Sequence, residues 1–312
     1  MKVIDPPIAF SLCLILCSCV FDSGKGTSNG AWTTQTSGTT NLLNAVHFVD
    51  VNHGWVVGVG GVILKTSNGG ANWKTLSSGI TTWLLSVYFL DTNTGWVTGE
   101  SGTILKTSDG GTTWTTQASG MDYSLYSVRF PDANNGWVVG GRGVILRTSN
   151  GGTNWNSQAS GATYLRSSYF ADTNMGWAVG YAILKTINGG MNWTEESSAT
   201  RIDFHGVYFP DVNNGWAVGT DGLIIGTSDG GTNWNAQISG TDYTLRSVHF
   251  LDAQNGWIAG YGGTILKTSN GGKNWMADSS GTVSDLLSIH FVDANNGWAV
   301  GWFGTILKYA RK

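Results

Sequence analysis

An all-β fold, a seven-bladed β-propeller over residues 31–312, is the architecture this sequence predicts, on three observations. Seven Gly-Trp pairs recur, at Trp55, Trp96, Trp137, Trp177, Trp216, Trp257 and Trp298, spaced by 41, 41, 40, 39, 41 and 41 residues, a regularity that marks structural repeats. Each unit holds four short apolar or alternating segments rich in β-branched and aromatic residues, the pattern of strands rather than of 3.6-period helices. The two ends complement one another: the last unit stops after Ile306-Leu307-Lys308 without a fourth strand, and Ala31-Trp32-Thr33-Thr34-Gln35 reads as a fourth strand without a blade. Pairing the two closes a ring and removes an open sheet edge.

The chain begins with Met1-Lys2 and an apolar run from Ile8 to Leu16. That run is too short to span a bilayer and is expected to be a secretory signal over residues 1–19. Leu16-Cys17-Ser18-Cys19 resembles the bacterial lipobox, which implies lipidation of Cys19, secretion across the cytoplasmic membrane and anchoring in the cell envelope. Residues 20–30 are rich in Ser, Gly, Thr and Asn, the composition of a flexible tether. All three cysteines lie within the first nineteen residues, so the remainder has no thiol for a disulfide or a metal.

Within one unit the elements follow in order: Leu84-Leu85-Ser86-Val87-Tyr88-Phe89, a turn from Asp91 to Gly95, Trp96-Val97-Thr98-Gly99, then Gly102-Thr103-Ile104-Leu105-Lys106. A glycine turn and Trp114-Thr115-Thr116-Gln117 complete it. Four short strands with tight turns account for one blade. Sixteen Trp and 46 Gly with four Pro in 312 residues agree with many strands and tight turns. The glycine turn, Thr107-Ser108-Asp109-Gly110-Gly111-Thr112-Thr113-Trp114, recurs around Asn68, Asn150, Asn188, Asp229 and Asn270. It resembles the Asp-box, or BNR repeat, of sialidases. An Asx side chain there caps turn amides, which Asn does as well as Asp, so the motif is structural and no catalytic carboxylate is expected in it. The turn Asp132-Ala133-Asn134-Asn135-Gly136 has its glycine one place too early for an EF-hand loop and lacks the closing Glu, and is read as a hairpin.

Net charge is −3 with 12% charged residues, and the acids are largely committed to turns. No basic stripe exists to serve nucleic-acid binding, and neither a cofactor nor a metal site is expected. His47, His249 and His290 fall in one column of the repeat, yet Tyr88, Arg129, Tyr169 and Tyr208 fill the same column elsewhere, so the column is read as amphipathic packing rather than metal ligation.

Where the repeats agree they specify architecture, so binding is sought where they differ. One variable column reads Asn44, Leu85, Tyr126, Arg166, His205, Arg246 and Leu287; a second, in the loop joining second and third strands, reads Glu100, Arg142, Tyr181, Asp221, Tyr261 and Trp302. Antiparallel connectivity puts both on the rim opposite the Asp-boxes. Arg142, Arg166 and Arg246 with Tyr126, Tyr181, Tyr261 and Trp302 have the composition of a protein-binding surface, and His205, Glu100 and Asp221 complete the candidate set.

The recurring Leu-x-Ser-Val-x-Phe, Asn-Gly-Trp-x-Val-Gly, Gly-x-Ile-Leu-Lys-Thr-Ser and Gly-Gly-x-Asn-Trp, from Trp32 to Lys308, resemble the photosystem II stability/assembly factor family of propellers. The resemblance implies a non-catalytic protein that holds a membrane protein during complex assembly through an Arg-rich patch, for which Arg142, Arg166 and Arg246 are the candidates. A monomeric, envelope-anchored assembly scaffold is therefore the leading expectation. The alternatives are a sialidase-type hydrolase and a glycan-binding module. For the hydrolase, Arg201-Ile202-Asp203 lacks the Pro of the sialidase motif, and uniform short loops leave little to wall a pocket. For the glycan module, Trp83, Tyr261 and Trp302 would be the stacking platforms.

Overall fold

The computed structural model describes residues 30–196 and 203–311. The leader, Cys19 and most of the tether lie outside those residues, as does Arg201-Ile202.

Seven four-stranded antiparallel sheets form seven blades. Blade 2 is typical, with strands Leu84–Phe89, Gly95–Gly99, Ile104–Thr107 and Thr115–Thr116 in sequential order. The first strands are Leu43–Phe48, Leu84–Phe89, Leu125–Arg129, Leu165–Phe170, Phe204–Tyr208, Leu245–Phe250 and Leu286–Asp293. They touch their neighbours all the way round, including seventh against first, so they are the inner wall of the ring. Blade 7 is completed by Gly30–Gln35, antiparallel to Ile306–Arg311 with Gly30 opposite Arg311 and Gln35 opposite Ile306. The ring is thus closed by the chain's own ends, as the complementary half-blades require; the closing strand takes in Gly30 at the end of the tether.

The repeated letters of each unit turn out to be contacts between blades. The Phe five residues after the leading Leu or Phe of each first strand stacks on the Gly-Trp tryptophan of the preceding blade: Phe89 on Trp55 with centroids 3.6 Å apart, and, across the closure, Phe48 on Trp298 at 3.5 Å. Six of the seven tryptophans at this position are among the largest fully buried side chains, so these stacks are the core between blades. The glycine before each Trp is dictated by the same ring. A Cβ on Gly54 would sit 2.4 Å from the Phe48 phenyl, so no other residue fits.

Hydrogen bonds reinforce this seam. Trp55 Nε1 donates to the Gly110 carbonyl in the next blade's Asp-box at 3.1 Å, and Trp298 Nε1 does so to Gly69 at 3.2 Å. Within the Asp-box, Asp109 Oδ1 accepts from Thr113 N at 2.9 Å, and Asn68 Oδ1 accepts from Asn72 N at 2.9 Å. Asn and Asp thus do the same local work, as the turn chemistry implies. The serine of Leu-x-Ser-Val also reaches across: Ser86 Oγ accepts from Val128 N at 3.3 Å and Ser288 Oγ from Val46 N at 3.2 Å.

Two tryptophans lack this bond, each for a local reason. Trp257 and Trp216 have buried Nε1 atoms without a hydrogen-bond partner. Trp257 faces blade 7, where no Asp-box follows the third strand among the described residues. Beside Trp216, blade 5 carries Gly226 where most blades carry Lys or Arg, and Gln237 fills the space, its Nε2 donating to the Gly271 carbonyl at 3.2 Å.

The Asp132 turn is a hairpin. Asp132 Oδ1 accepts from Asn134 N and Asn135 N, both at 2.8 Å, and Gly151 N of the Asp-box donates to Asn134 O at 2.8 Å. Both recurring turns therefore lie on one face of the disc, leaving the opposite face to the variable columns.

Candidate functional site

In every first strand the register against the second strand shifts directly after its leading Leu or Phe. The skipped residue is Asn44, Leu85, Tyr126, Arg166, His205, Arg246 or Leu287, which is the first variable column. Each is the extra residue of a β-bulge, a device that re-aims a side chain out of the ladder. Seven bulges turn these side chains toward the axis, where they line a cavity of about 330 Å³ at the mouth of the channel, joined by Trp83, Tyr261 and Trp302.

The polar groups of this mouth form one linked set. Arg166 holds Asp203 with both ends of its guanidinium, Nε at 2.9 and 3.0 Å and the terminal nitrogen at 2.7 Å, the fork geometry that favours carboxylate partners. Arg246 donates to His205 Nδ1 at 2.9 Å, and His205 Nε2 stands 3.9 Å from Asp203. Burial first, then the adjacent Arg246 and Arg166 charges, holds the His205 imidazole down to about 3, so it is neutral and its Nδ1 is free to accept. Arg246 keeps a buried Nε with no hydrogen-bond partner among the described residues, and burial also lowers its affinity for its proton. Its guanidinium lies 5.8 Å from the Tyr261 ring. The mouth therefore offers Arg166, held by Asp203, Arg246, which pairs with no carboxylate among the described residues, Arg129 at its floor, and aromatic walls.

The second variable column does not stay together. In the turns between second and third strands, Glu100, Tyr181, Tyr261 and Trp302 occupy the first turn position, while Arg142 and Asp221 occupy the next one. Arg142 and Asp221 have φ of +55° and +54°, equivalent to Gly60 and Gly262 in blades 1 and 6. That left-handed residue projects away from the axis: both side chains are exposed and neither lines the mouth. Arg142 instead lies 4.3 Å over the Tyr123 ring and donates to its hydroxyl at 2.9 Å. Tyr181 is 59% exposed and stacks on Tyr164 at 5.4 Å, and Glu100 is half-buried outside the mouth. The three-arginine patch thus divides: Arg166 and Arg246 converge, and Arg142 stands apart.

Sequence reasoning passed over Tyr164, whose hydroxyl donates to that of Tyr126 and whose ring carries Arg166 at 4.8 Å. It also met Asp203 only as the last residue of Arg201-Ile202-Asp203. A signal was present: the residue before the leading Leu or Phe reads Leu42, Trp83, Ser124, Tyr164, Asp203, Thr244 and Asp285, a third variable column, of which Leu42 and Trp83 line the mouth and Tyr164 and Asp203 contact Arg166 beside it.

Deeper in the channel the His/Tyr/Arg column forms a closed belt, one side chain per blade. His47 packs on Tyr88 at 4.7 Å and on His290 at 4.8 Å, His290 on His249 at 4.7 Å, His249 on Tyr208 at 4.5 Å, and Tyr208 on Tyr169 at 4.8 Å. Arg129 completes the circuit, 5.7 Å from both the Tyr88 and Tyr169 rings. The imidazoles meet edge to face (His47 on His290) and tilted (His290 on His249), and among the described residues no group of three or more His, Cys, Asp or Glu is placed to hold a metal.

Solved structures share this architecture. YCF48 bound to D1 peptide superposes with a TM-score of 0.77 at 23% identity, covering 90% of this chain and 95% of that one. YCF48 from Cyanidioschyzon merolae gives 0.76 at 24% identity over 90% and 99%. A catalytically inactive virginiamycin B lyase from Staphylococcus aureus with quinupristin gives 0.77 at 14% identity over 90% and 99%. At these identities the likeness is one of fold. No curated protein is significantly similar in sequence. The family model for the Photosynthesis system II assembly factor YCF48, however, matches residues 25–82, 71–161, 197–276 and 235–310, well over half of the chain, and the chain therefore belongs to the YCF48 family of assembly-factor propellers.

Proposed function

We propose that this protein is a non-catalytic assembly scaffold, anchored in the cell envelope through Cys19, whose propeller binds a segment of a protein partner at the channel mouth. The observation that carries this is the mouth itself: seven bulges deliver its variable side chains into one cavity, with Arg246, which no carboxylate pairs among the described residues, beside the Tyr261 ring. A polypeptide suits that set, its carbonyl or carboxylate oxygens meeting Arg246 and its apolar side chains meeting Trp83, Tyr261 and Trp302. Family membership and the neighbour solved with a D1 peptide support the same reading. A membrane protein is the partner class, since the lipobox-like Leu16-Cys17-Ser18-Cys19 would hold the propeller beside one.

The chemistry of the mouth favours binding over catalysis. Asp203, its carboxylate, is clamped by Arg166, and His205 is neutral with its Nδ1 engaged. Neither is left to move a proton for a substrate. The test is a photo-crosslinking residue at Trp302, compared with one at Thr112 on the Asp-box face, in native envelopes. A discrete protein adduct from position 302 alone is expected, and an Arg246→Gln change should reduce it. Equal adducts from both positions, or capture of polysaccharide alone, would overturn the proposal and return the glycan alternative.

A further inference from the structure

Beyond the belt, on the side away from the mouth, lies a second chamber of about 170 Å³, lined by Tyr88, Arg129, Tyr169 and Tyr208 together with the belt's three imidazoles. Arg129 is the one cationic side chain in that lining, and no carboxylate belongs to it. Its Nε donates to the Ser168 carbonyl at 3.3 Å and its guanidinium lies between two tyrosine rings. Among the described residues it forms no ion pair.

A guanidinium does not give up its proton in a protein, so this half-buried charge persists, and a charge drawn from water needs compensation. Two aromatic faces supply part of it. The belt's histidines supply none: burial, with the Arg129 charge adding to it, keeps His47, His249 and His290 neutral. What remains is a chamber with room for several waters at about 30 Å³ each, bearing one permanent positive charge and phenolic donors. Arg129, Tyr88, Tyr169 and Tyr208 are all only half-buried, so a solute reaches them.

We infer that this chamber binds a small inorganic anion, an oxyanion or halide, held by Arg129 and the phenols of Tyr88, Tyr169 and Tyr208. The ion neutralises the axis of the ring and ties blades 2 to 5 together. The chamber lies on the far side of the belt from Arg166 and Arg246, which it does not include, while Arg129, Tyr208 and the three imidazoles border both cavities.

The experiment is thermal unfolding and calorimetric titration of the full chain with phosphate, sulfate and chloride, at ionic strength held constant with a bulky organic salt. A saturable rise in melting temperature is expected with at least one of the three, since a ligand of the native state stabilises it by mass action. Whichever anion saturates identifies the class. Arg129→Gln should weaken that binding about tenfold or more, the usual consequence of losing a charged hydrogen-bond partner, while Arg246→Gln at the mouth leaves it unchanged. If Arg129→Gln does not fold, Tyr208→Phe retains the ring and should still weaken binding. No saturable response, an unaltered response in Arg129→Gln and Tyr208→Phe, or a response lost with Arg246 instead would each overturn the inference.

Discussion

Phe303 shows how much a single turn residue carries. It has φ of +57° and is 72% exposed, in a position that is glycine in blades 1 and 6. A left-handed residue with a Cβ costs roughly 1–2 kcal/mol, and an exposed phenyl returns little of it. Phe303→Gly is therefore expected to stabilise the protein by about 1 kcal/mol in urea unfolding, less the entropy that glycine gives to the unfolded chain. An unchanged or lower midpoint would show that Phe303 is held by contacts worth more than its strain. Arg142→Gly serves as the parallel case, with the Arg142–Tyr123 bond set against the gain. Residues such as these explain why the second variable column was misaligned from sequence. Blade 4 is two residues shorter in this turn and Gly141 precedes Arg142, so counting from the strand ends paired first-position residues with left-handed ones. Only the backbone angle separates them.

At the level of the element, the closing strand Gly30–Gln35 joins the two ends of the molecule. Trp32 is buried against Phe291 and Tyr309 at 5.7 and 5.3 Å, and its Nε1 donates to Asp278 Oδ2 in blade 6 at 3.2 Å. Trp32→Ala should cost about 3–5 kcal/mol, the range for a buried Trp truncation. Removing Gly30–Gln35 altogether leaves Ile306–Arg311 as an open edge; that variant is expected to self-associate on size exclusion, and a monomeric, fully cooperative variant would show that the ring holds without its clasp. This clasp was legible in the sequence because each half-blade announces what it lacks. The bulge in every first strand was not, since a bulge is a relation between two strands. Leu-x-Ser reads as regular alternation until its partner strand is seen to skip the middle residue.

The whole ring responds to acid through its axis. His47, His249 and His290 in the belt and His205 at the mouth all have pKa values below the ordinary 6.5, principally from burial, with His290 and His205 at about 3. Arg129 faces the three belt imidazoles, and Arg166 and Arg246 face His205. The unfolded chain therefore binds more protons than the folded one below pH 6.5, and the linkage sign makes stability fall as pH drops from 6.5 toward 3. Each such histidine contributes at most about 1.4 kcal/mol per pH unit in that window. Urea unfolding between pH 7 and 4.5 should show a declining midpoint, with a shallower decline in His249→Tyr, which places in blade 6 the residue that blades 2, 4 and 5 carry. A flat profile would mean that the imidazoles protonate freely in the folded state.

By itself the sequence determined the number of blades, the strands within each and the way the ring shuts. Those properties live in local periodicity and in repetition, and a unit repeated seven times states them seven times over. It also determined that the Asp-box is a turn device, because Asn and Asp interchange there. Tertiary structure alone decided that the repeated Phe, Trp and Ser act between blades rather than within them, and which variable residues meet. Arg166 and Arg246 lie 80 residues apart and come together only because successive bulges point at a common axis. Arg142 lies nearer Arg166 in the chain and is turned outward by its left-handed backbone. Convergence at an axis depends on curvature accumulated over all the blades, and no window of sequence contains it.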